Sequence, residues 1–352
     1  MSAAGAKLLR MSPVQPPRDA VAIGVIGLGR IGLQHAINAA GRGHSCRLAQ
    51  VCDTDAGSSE QAGGRLGVSW TDAPEELIAN PDVEAIVIAT PVTTHAALVD
   101  ASLRAGKHVL CEKPLAPEPE AVRRLVCAAR SSDRRLQVGL QMRFDPELVE
   151  VHRRLASGRL GDLLLLRTVL RDREPPAREY LAHSAGFLVD AAIHTLDLAR
   201  WLGGEIVEIT AVGAAPSGGG PVDVDQFVVV VRFAGGGLGV LDHSRRAGYG
   251  FDSRTEVVGT RATVRVERAR RTQLSWLDPV GVTTDHLEDF LQRFSVAYAA
   301  ELEHFGQAIL SGAPVTADGD DALAAALLCA AAEQSLREQR TIVLERRQDG
   351  AP

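Results

Sequence analysis

The sequence predicts an α/β domain with a doubly wound parallel sheet over residues 21–140, followed by an α+β domain with a large, open, mostly antiparallel sheet over residues 141–345. Three observations predict this. Short apolar runs alternate with helical patterns as far as about residue 140, the spacing of right-handed βαβ units. Beyond that point strand follows strand with few helices between them. The chain is 352 residues long, which exceeds what one core usually supports, so two domains are expected.

The first half opens with Val21–Ile26 (VAIGVI), a continuous apolar run of the kind that suits a parallel strand covered on both faces. A glycine-rich turn and a helix from Leu33 to Ala40 follow. Further strands are predicted at Leu48–Cys52, Glu84–Ala89, Lys107–Cys111 and Leu136–Gly139. The helices between them are predicted at Glu60–Leu66, Ala73–Asn80, His95–Ala105 and Glu118–Arg130. In the second half a strand at Asp162–Arg171 and a helix at Leu188–Leu202 precede strands at Val207–Ala214, Gln226–Phe233, Gly237–His243, Thr255–Gly259 and Ala262–Val266. Ser217–Gly220 and Gly235–Gly237 read as connections, the second a hairpin turn. Two helices close the chain. In the first, Phe290, Phe294 and Tyr298 recur every four residues and Leu302 and Phe305 extend the stripe, a pattern for packing rather than a ligand box.

Composition narrows the function. A formal charge of −6 with no basic block lacks the footprint of a nucleic-acid binder. No apolar run reaches the roughly 18 residues of a membrane span. Cys46, Cys52, Cys111, Cys127 and Cys329 are scattered and contain no CxxC pair, so free thiols in a reducing, cytoplasmic setting are expected rather than disulfides or zinc. Residues 1–20 carry no signal-peptide run and are expected to be a disordered leader. No metal site is expected.

Gly27-Leu28-Gly29-Arg30-Ile31-Gly32 comes directly after the first strand and opens a helix, the context in which GxGxxG has meaning. Gly27 permits a tight turn, Gly29 lets backbone approach a pyrophosphate, and Gly32 lets helix and strand pack closely. The helix N-terminus adds N–H donors and partial positive charge. Gly27, Gly29, Arg30, Ile31 and Gly32 are thus expected cofactor contacts. Asp53 ends the second strand 21 residues beyond Gly32, where a carboxylate accepts from ribose hydroxyls and repels a 2′-phosphate. Thr54 follows it rather than an arginine, so NAD is expected in preference to NADP.

Two segments end later strands, where open α/β sheets bind ligands. Ala89-Thr90-Pro91-Val92-Thr93-Thr94-His95 is one and Cys111-Glu112-Lys113-Pro114 the other, which puts Thr90, Pro91, His95, Glu112 and Lys113 beside the cofactor. Asp190-Ala191-Ala192-Ile193-His194 falls on a helix, where a spacing of four places carboxylate and imidazole on one face, continued by Asp197.

In this order the motifs resemble the Gfo/Idh/MocA oxidoreductase family, and the resemblance spans nearly the whole chain. Gly139-Leu140-Gln141-Met142-Arg143-Phe144-Asp145-Pro146 and Leu196-Asp197-Leu198-Ala199-Arg200-Trp201-Leu202 also look like family sequence. The resemblance implies a Rossmann domain with a Glu-Lys-Pro motif, a second domain whose helix carries D-x-x-x-H, and Lys113, Asp190 and His194 as the active site. Arg171-Asp172-Arg173-Glu174-Pro175-Pro176 through Tyr180, leading into Ala185-Gly186-Phe187, looks most like inositol 2-dehydrogenases. The chemistry suits these residues. His194 would take the hydroxyl proton as hydride leaves for nicotinamide, and Lys113 would stabilise charge on the reacting oxygen. Asp190 would hold a neighbouring hydroxyl or tune His194, with Arg143 and Asp172 as further substrate contacts.

Two departures keep the substrate open. Met142 precedes Arg143 where inositol dehydrogenases often have a second arginine, and Val189 precedes Asp190 where relatives often carry a polar residue. A small polyhydroxylated ring is therefore expected, either a cyclitol or sugar, or an aminocyclitol, aminosugar or aminoglycoside intermediate. The alternative from another class is a non-catalytic dinucleotide-binding regulator, against which the retention of Lys113 and His194 argues. The second sheet has one face in need of cover, so a homodimer or homotetramer through that face is expected.

Overall fold

A computed structural model of the chain describes residues 20–41, 45–175, 186–214 and 224–344. The expected leader lies outside these residues except for Ala20, as do Tyr180, Ala185 and the Ser217–Gly220 connection. The first sheet has six parallel strands: β1 (Val21–Ile26), β2 (Cys46–Cys52), β3 (Ser69–Thr71), β4 (Ala85–Ile88), β5 (His108–Cys111) and β6 (Leu136–Val138). Every residue of β1 and β4 is buried, as a strand sandwiched between helix layers requires. The crossovers are α1 (Arg30–Ala40), α2 (Ala56–Leu66), α3 (Pro74–Ala79), α4 (Val92–Arg104) and α5 (Pro119–Ser132). On α5, Val122, Leu125, Val126 and Ala129 form the buried stripe, a proline starts the helix and Asp133 ends it in the left-handed region. The strand order is β3-β2-β1-β4-β5-β6, so the direction of winding reverses between β1 and β4. Their carboxyl ends are the switch point at which open α/β sheets bind ligands.

The second half begins with α6 (Pro146–Ala156), which the hydrophobic pattern alone did not reveal. Its start signal is Asp145-Pro146: the Asp145 carboxylate accepts from the Glu147 and Leu148 N–H groups, and proline occupies the first turn. Then come β7 (Leu163–Arg171), α7 (Phe187–Gly203), β8 (Ile206–Ala214), β9 (Gln226–Phe233), β10 (Leu238–Ser244), β11 (Asp252–Gly259) and β12 (Thr263–Val266). A projecting hairpin, β13 (Ser275–Asp278) with β14 (Gly281–Thr284), precedes α8 (Phe290–Ser311), α9 (Gly319–Glu338) and β15 (Ile342–Val343). The seven-stranded sheet runs β12-β11-β7-β10-β9-β8-β15, with β7 and β10 parallel and every other pair antiparallel. The Gly235–Gly237 turn joins β9 to β10, with Gly236 at φ +93°.

β9 alternates outward and inward along its whole length. Phe227, Val229, Val231 and Phe233 enter the core, while Val228 and Val230 stay exposed with Val212 and Leu238. The closing helices stitch the halves together. α9 packs on β8, α7 and α5, and α8 packs on α1, β1 and β2. Phe294, Tyr298, Leu302 and Phe305 are all buried, so the stripe is a packing surface. Leu302 and Phe305 share a cluster with Val21, Ile23 and Val25 of β1. No described helix is long and apolar enough to cross a membrane. All five cysteines are free, and burial above all pushes the Cys46 and Cys52 thiols up to about 12, so both behave as small apolar side chains.

Candidate active site

Backbone lines the switch point. Gly27 turns at φ +90°, and a Cβ there would come within 2.6 Å of the Ala89 carbonyl oxygen and 2.9 Å of the Thr90 nitrogen. The ends of β1 and β4 thus touch, which places Thr90 and Pro91 beside the glycine turn. At Gly32 an added Cβ would lie 1.8 Å from the Gly27 carbonyl oxygen, so only glycine lets α1 rest on its own entry loop. Gly29 differs: a Cβ there meets nothing within 4 Å, and no side chain caps the α1 N-terminus that begins beside it. This is an open cradle of N–H groups suited to a pyrophosphate, and it fits a dinucleotide. Asp53 ends β2 and its Oδ2 accepts the Leu28 N–H at 2.7 Å, which holds the carboxylate over the turn. A carboxylate has lone pairs left for ribose hydroxyls.

These glycines make different predictions. Gly29→Ala is expected to leave the unfolding midpoint within about 2 °C of wild type and to weaken NAD binding about tenfold or more. Gly32→Ala is expected to cost about 2 kcal/mol or more of fold stability. Thermal melts and titration calorimetry separate the two effects, and unchanged NAD affinity in Gly29→Ala would count against the cradle.

Beside the cradle the structure brings Lys113, Asp190, His194 and Asp172 together. Lys113 leaves the carboxyl end of β5. Asp190 and His194 lie in the first two turns of α7, which starts after Gly186 at φ +88°. Lys113 Nζ donates to Asp190 Oδ1 at 2.6 Å and to the Asp190 main-chain oxygen at 2.8 Å. The two side chains keep 17% and 23% of their exposure, so the pair sits at an opening rather than in a sealed core. One turn on, His194 is buried. Burial first, and the charge of Lys113 second, hold its pKa well below the ordinary value, so the imidazole is neutral. Its Nδ1 is buried with no hydrogen-bond partner among the described residues. Asp172 follows β7, fixed through its N–H to the Ser244 carbonyl and its carbonyl to the Ala247 N–H, both at 2.8 Å. Burial, reinforced by the charge of Asp190, pushes its carboxyl up to about 6, while Lys113 and Arg245 oppose the shift.

Four expected contacts are placed differently. Arg143 is committed elsewhere: its guanidinium is buried and donates to both Asp197 oxygens, at 2.8 and 2.6 Å, and to Asp321 at 2.8 Å. Asp197, on the face of α7 that continues from His194, is therefore an anchor for Arg143. His95 is turned inward at 1% exposure, its Nδ1 and Nε2 each 2.8 Å from a carbonyl oxygen, of Pro114 and Thr90. Burial lowers its pKa, so the neutral ring donates its one N–H to one of these carbonyls and packs between the ends of β4 and β5 instead of offering itself to a cofactor. Glu112 is also buried, against His35. Arg30 reaches across to the start of α8, pairing with Asp289 at 2.5 Å and lying over the Phe290 ring. Ile31 is partly buried against the core, so its contribution to the cradle is its backbone.

Known proteins resemble the chain in both halves. The oxidoreductase family described as an NAD-binding Rossmann fold matches residues 21–140, and its C-terminal alpha/beta domain matches residues 152–344. The chain is 37% identical over 330 residues to myo-inositol 2-dehydrogenase of Thermotoga maritima, covering 92% of this chain and 98% of that one. It superposes with a TM-score of 0.87 on a myo-inositol dehydrogenase from Corynebacterium glutamicum, at 31% identity over 93% of this chain and 99% of that one. On GenD2 from gentamicin A biosynthesis in complex with NAD the TM-score is 0.83, at 26% identity over 97% and 100% of the two chains. Both halves match in order and at nearly full length, and the protein therefore belongs to the Gfo/Idh/MocA family of oxidoreductases.

Proposed function

We propose that this protein is an NAD-dependent dehydrogenase that oxidises a secondary hydroxyl of a cyclitol ring to a ketone. The observation that carries the reading is the Lys113–Asp190 pair, held open to solvent beside a neutral His194 at the carboxyl end of the first sheet. Bound NAD supplies the hydride acceptor. The chain's own residues do the rest. The neutral imidazole of His194 takes the hydroxyl proton as the carbon gives up its hydride. The Lys113 ammonium donates to the same oxygen and stabilises the negative charge that grows on it. Asp190 fixes the ammonium by its two hydrogen bonds, so little rearrangement is needed when the charge develops. Asp53, with no arginine after it, supports NAD over NADP.

The test is NADH formation with myo-, scyllo- and chiro-inositol, glucose and aminocyclitols, run in parallel with NADP. Turnover of inositols with NAD is the expected result; tight NAD binding without turnover on any of them would favour a regulator. One observation supports a second reading, an aminocyclitol or aminoglycoside intermediate as substrate. Asp172 and Asp190 put two carboxyl groups beside Lys113, and a ring ammonium would pair with them. The relative from gentamicin A biosynthesis points the same way. Turnover confined to the amino compounds would select this reading.

The outward row of Val212, Val228, Val230 and Leu238 supports self-association through the second sheet. A monomeric mass by light scattering would count against it.

A further inference from the structure

Glu301 is a carboxylate in an apolar stripe. It lies on α8 between Tyr298 and Leu302, at 0% exposure, and no donor among the described residues reaches either of its side-chain oxygens. Its neighbours are Glu112, the residue before Lys113, and His35 of α1. One side-chain N or O atom of each of the three lies within 4.8 Å of the others. Glu112 is well supplied with donors. Its Oε1 is 3.0 Å from His35 Nε2, and its Oε2 accepts the Lys113 main-chain N–H at 3.3 Å. Gly139 backs directly onto it, because a Cβ there would come within 2.7 Å of Oε2. Tyr298 closes the pocket, its ring edge-on to His35 at 5.7 Å. Gln137 Nε2 donates to the Glu301 carbonyl at 3.1 Å and pins this turn of α8 to the first sheet.

Two carboxylates this close in a buried interior do not both stay ionised, since lost hydration and like charge act together against the second. The proton settles on the group with no donors. That group is Glu301, whose carboxyl is driven well above the usual range by burial first and by the charge of Glu112 second. Tyr298 keeps its proton for the same reasons. A leucine at position 301 would fill the stripe without any of these costs. The acid is therefore explained by what it does for its neighbour.

We propose that Glu301 is a positioning residue for Lys113: a neutral carboxylic acid that donates its proton to Glu112 and so holds that carboxylate, and the lysine following it, in register. The role of Lys113 in turnover is taken from the reading above. The carboxyl of Glu301 is tested without any substrate. Infrared difference spectra of wild type against Glu301→Gln at neutral pH are expected to show a carboxylic-acid carbonyl band that shifts in D2O and is lost in the variant. In kinetics, Glu301→Gln keeps an N–H donor toward Glu112, and its kcat is expected within about threefold of wild type. Glu301→Leu is expected to lose about tenfold to a hundredfold in kcat, with KM and NAD affinity within about threefold. Absence of the acid band, a stoichiometric divalent metal in the purified protein, or wild-type kcat in Glu301→Leu would each overturn the proposal. A persistent acid band together with a fully active Lys113→Ala would instead refute the reading of Lys113.

Discussion

Lys113→Ala is expected to lower kcat on cyclitol substrates by about a hundredfold to a thousandfold, the usual effect of removing one preorganised donor to a developing oxyanion. NAD affinity is expected to change by less than about threefold, because the cradle is built from Gly27, Gly29 and the α1 N-terminus and not from the lysine. The same substitution carries a signature in pH. His194 acts as a base only when neutral, and its pKa is depressed by burial and then by the Lys113 charge. Wild-type kcat/KM should therefore hold as pH falls through the ordinary histidine value of 6.5 and decline only below it. Removing the cation lets the imidazole hold its proton more tightly, so the acid limb moves to higher pH in Lys113→Ala. The opposite shift is expected for Asp190→Asn, because the Asp190 charge raises the His194 pKa. Steady-state kinetics across the acid range check both signs. An unshifted limb with normal kcat would reduce Lys113 to an ion-pair partner of Asp190.

His194→Ala is expected to cost a factor of about 10² to 10⁴ in kcat, the range for removing a general base. NAD affinity and the unfolding midpoint should stay close to wild type. Here the diagnostic is the loss of the acid limb itself, since the group that titrates is gone. Should a limb persist near pH 6, its source is Asp172, whose carboxyl burial pushes up to about 6. His194→Ala and Lys113→Ala thus fail in different ways: one removes the limb and the other moves it.

The fold and the chemistry were legible in the sequence to different depths. The parallel sheet and the glycine turn could be read because each depends on neighbours along the chain, a buried run in β1 followed at once by Gly27, Gly29 and Gly32. The Lys113–Asp190 pair spans 77 residues, and only the ordered motifs shared with a known family suggested it. The fate of Arg143 was not legible. Its acid partners lie 54 and 178 residues away, and nothing in Met142-Arg143-Phe144 says that the guanidinium will be consumed by them. Glu301 left a signal that went unread: it stands three residues after Tyr298 and four before Phe305, where a helix stripe should be apolar. A carboxylate in that position implies a buried partner. The β13–β14 hairpin and the three-residue β3 escaped for another reason. Mostly exposed or very short strands have no core alternation to betray them.

The docking of α8 on β1 and β2 has a consequence for how the protein is made. Leu302 and Phe305 complete the apolar layer over Val21, Ile23 and Val25, yet they leave the ribosome about 160 residues after the first sheet is finished. At ordinary elongation rates this is a wait of about 10–30 s, during which part of the first domain's interior has no lid. The nascent protein must pass that interval with a sticky, half-assembled surface, the condition in which chaperones are engaged and aggregates begin. Glu301 is synthesised with the same late helix. The residue proposed to set Lys113 therefore arrives about 190 residues after the lysine itself, and until then Glu112 has no acid above it.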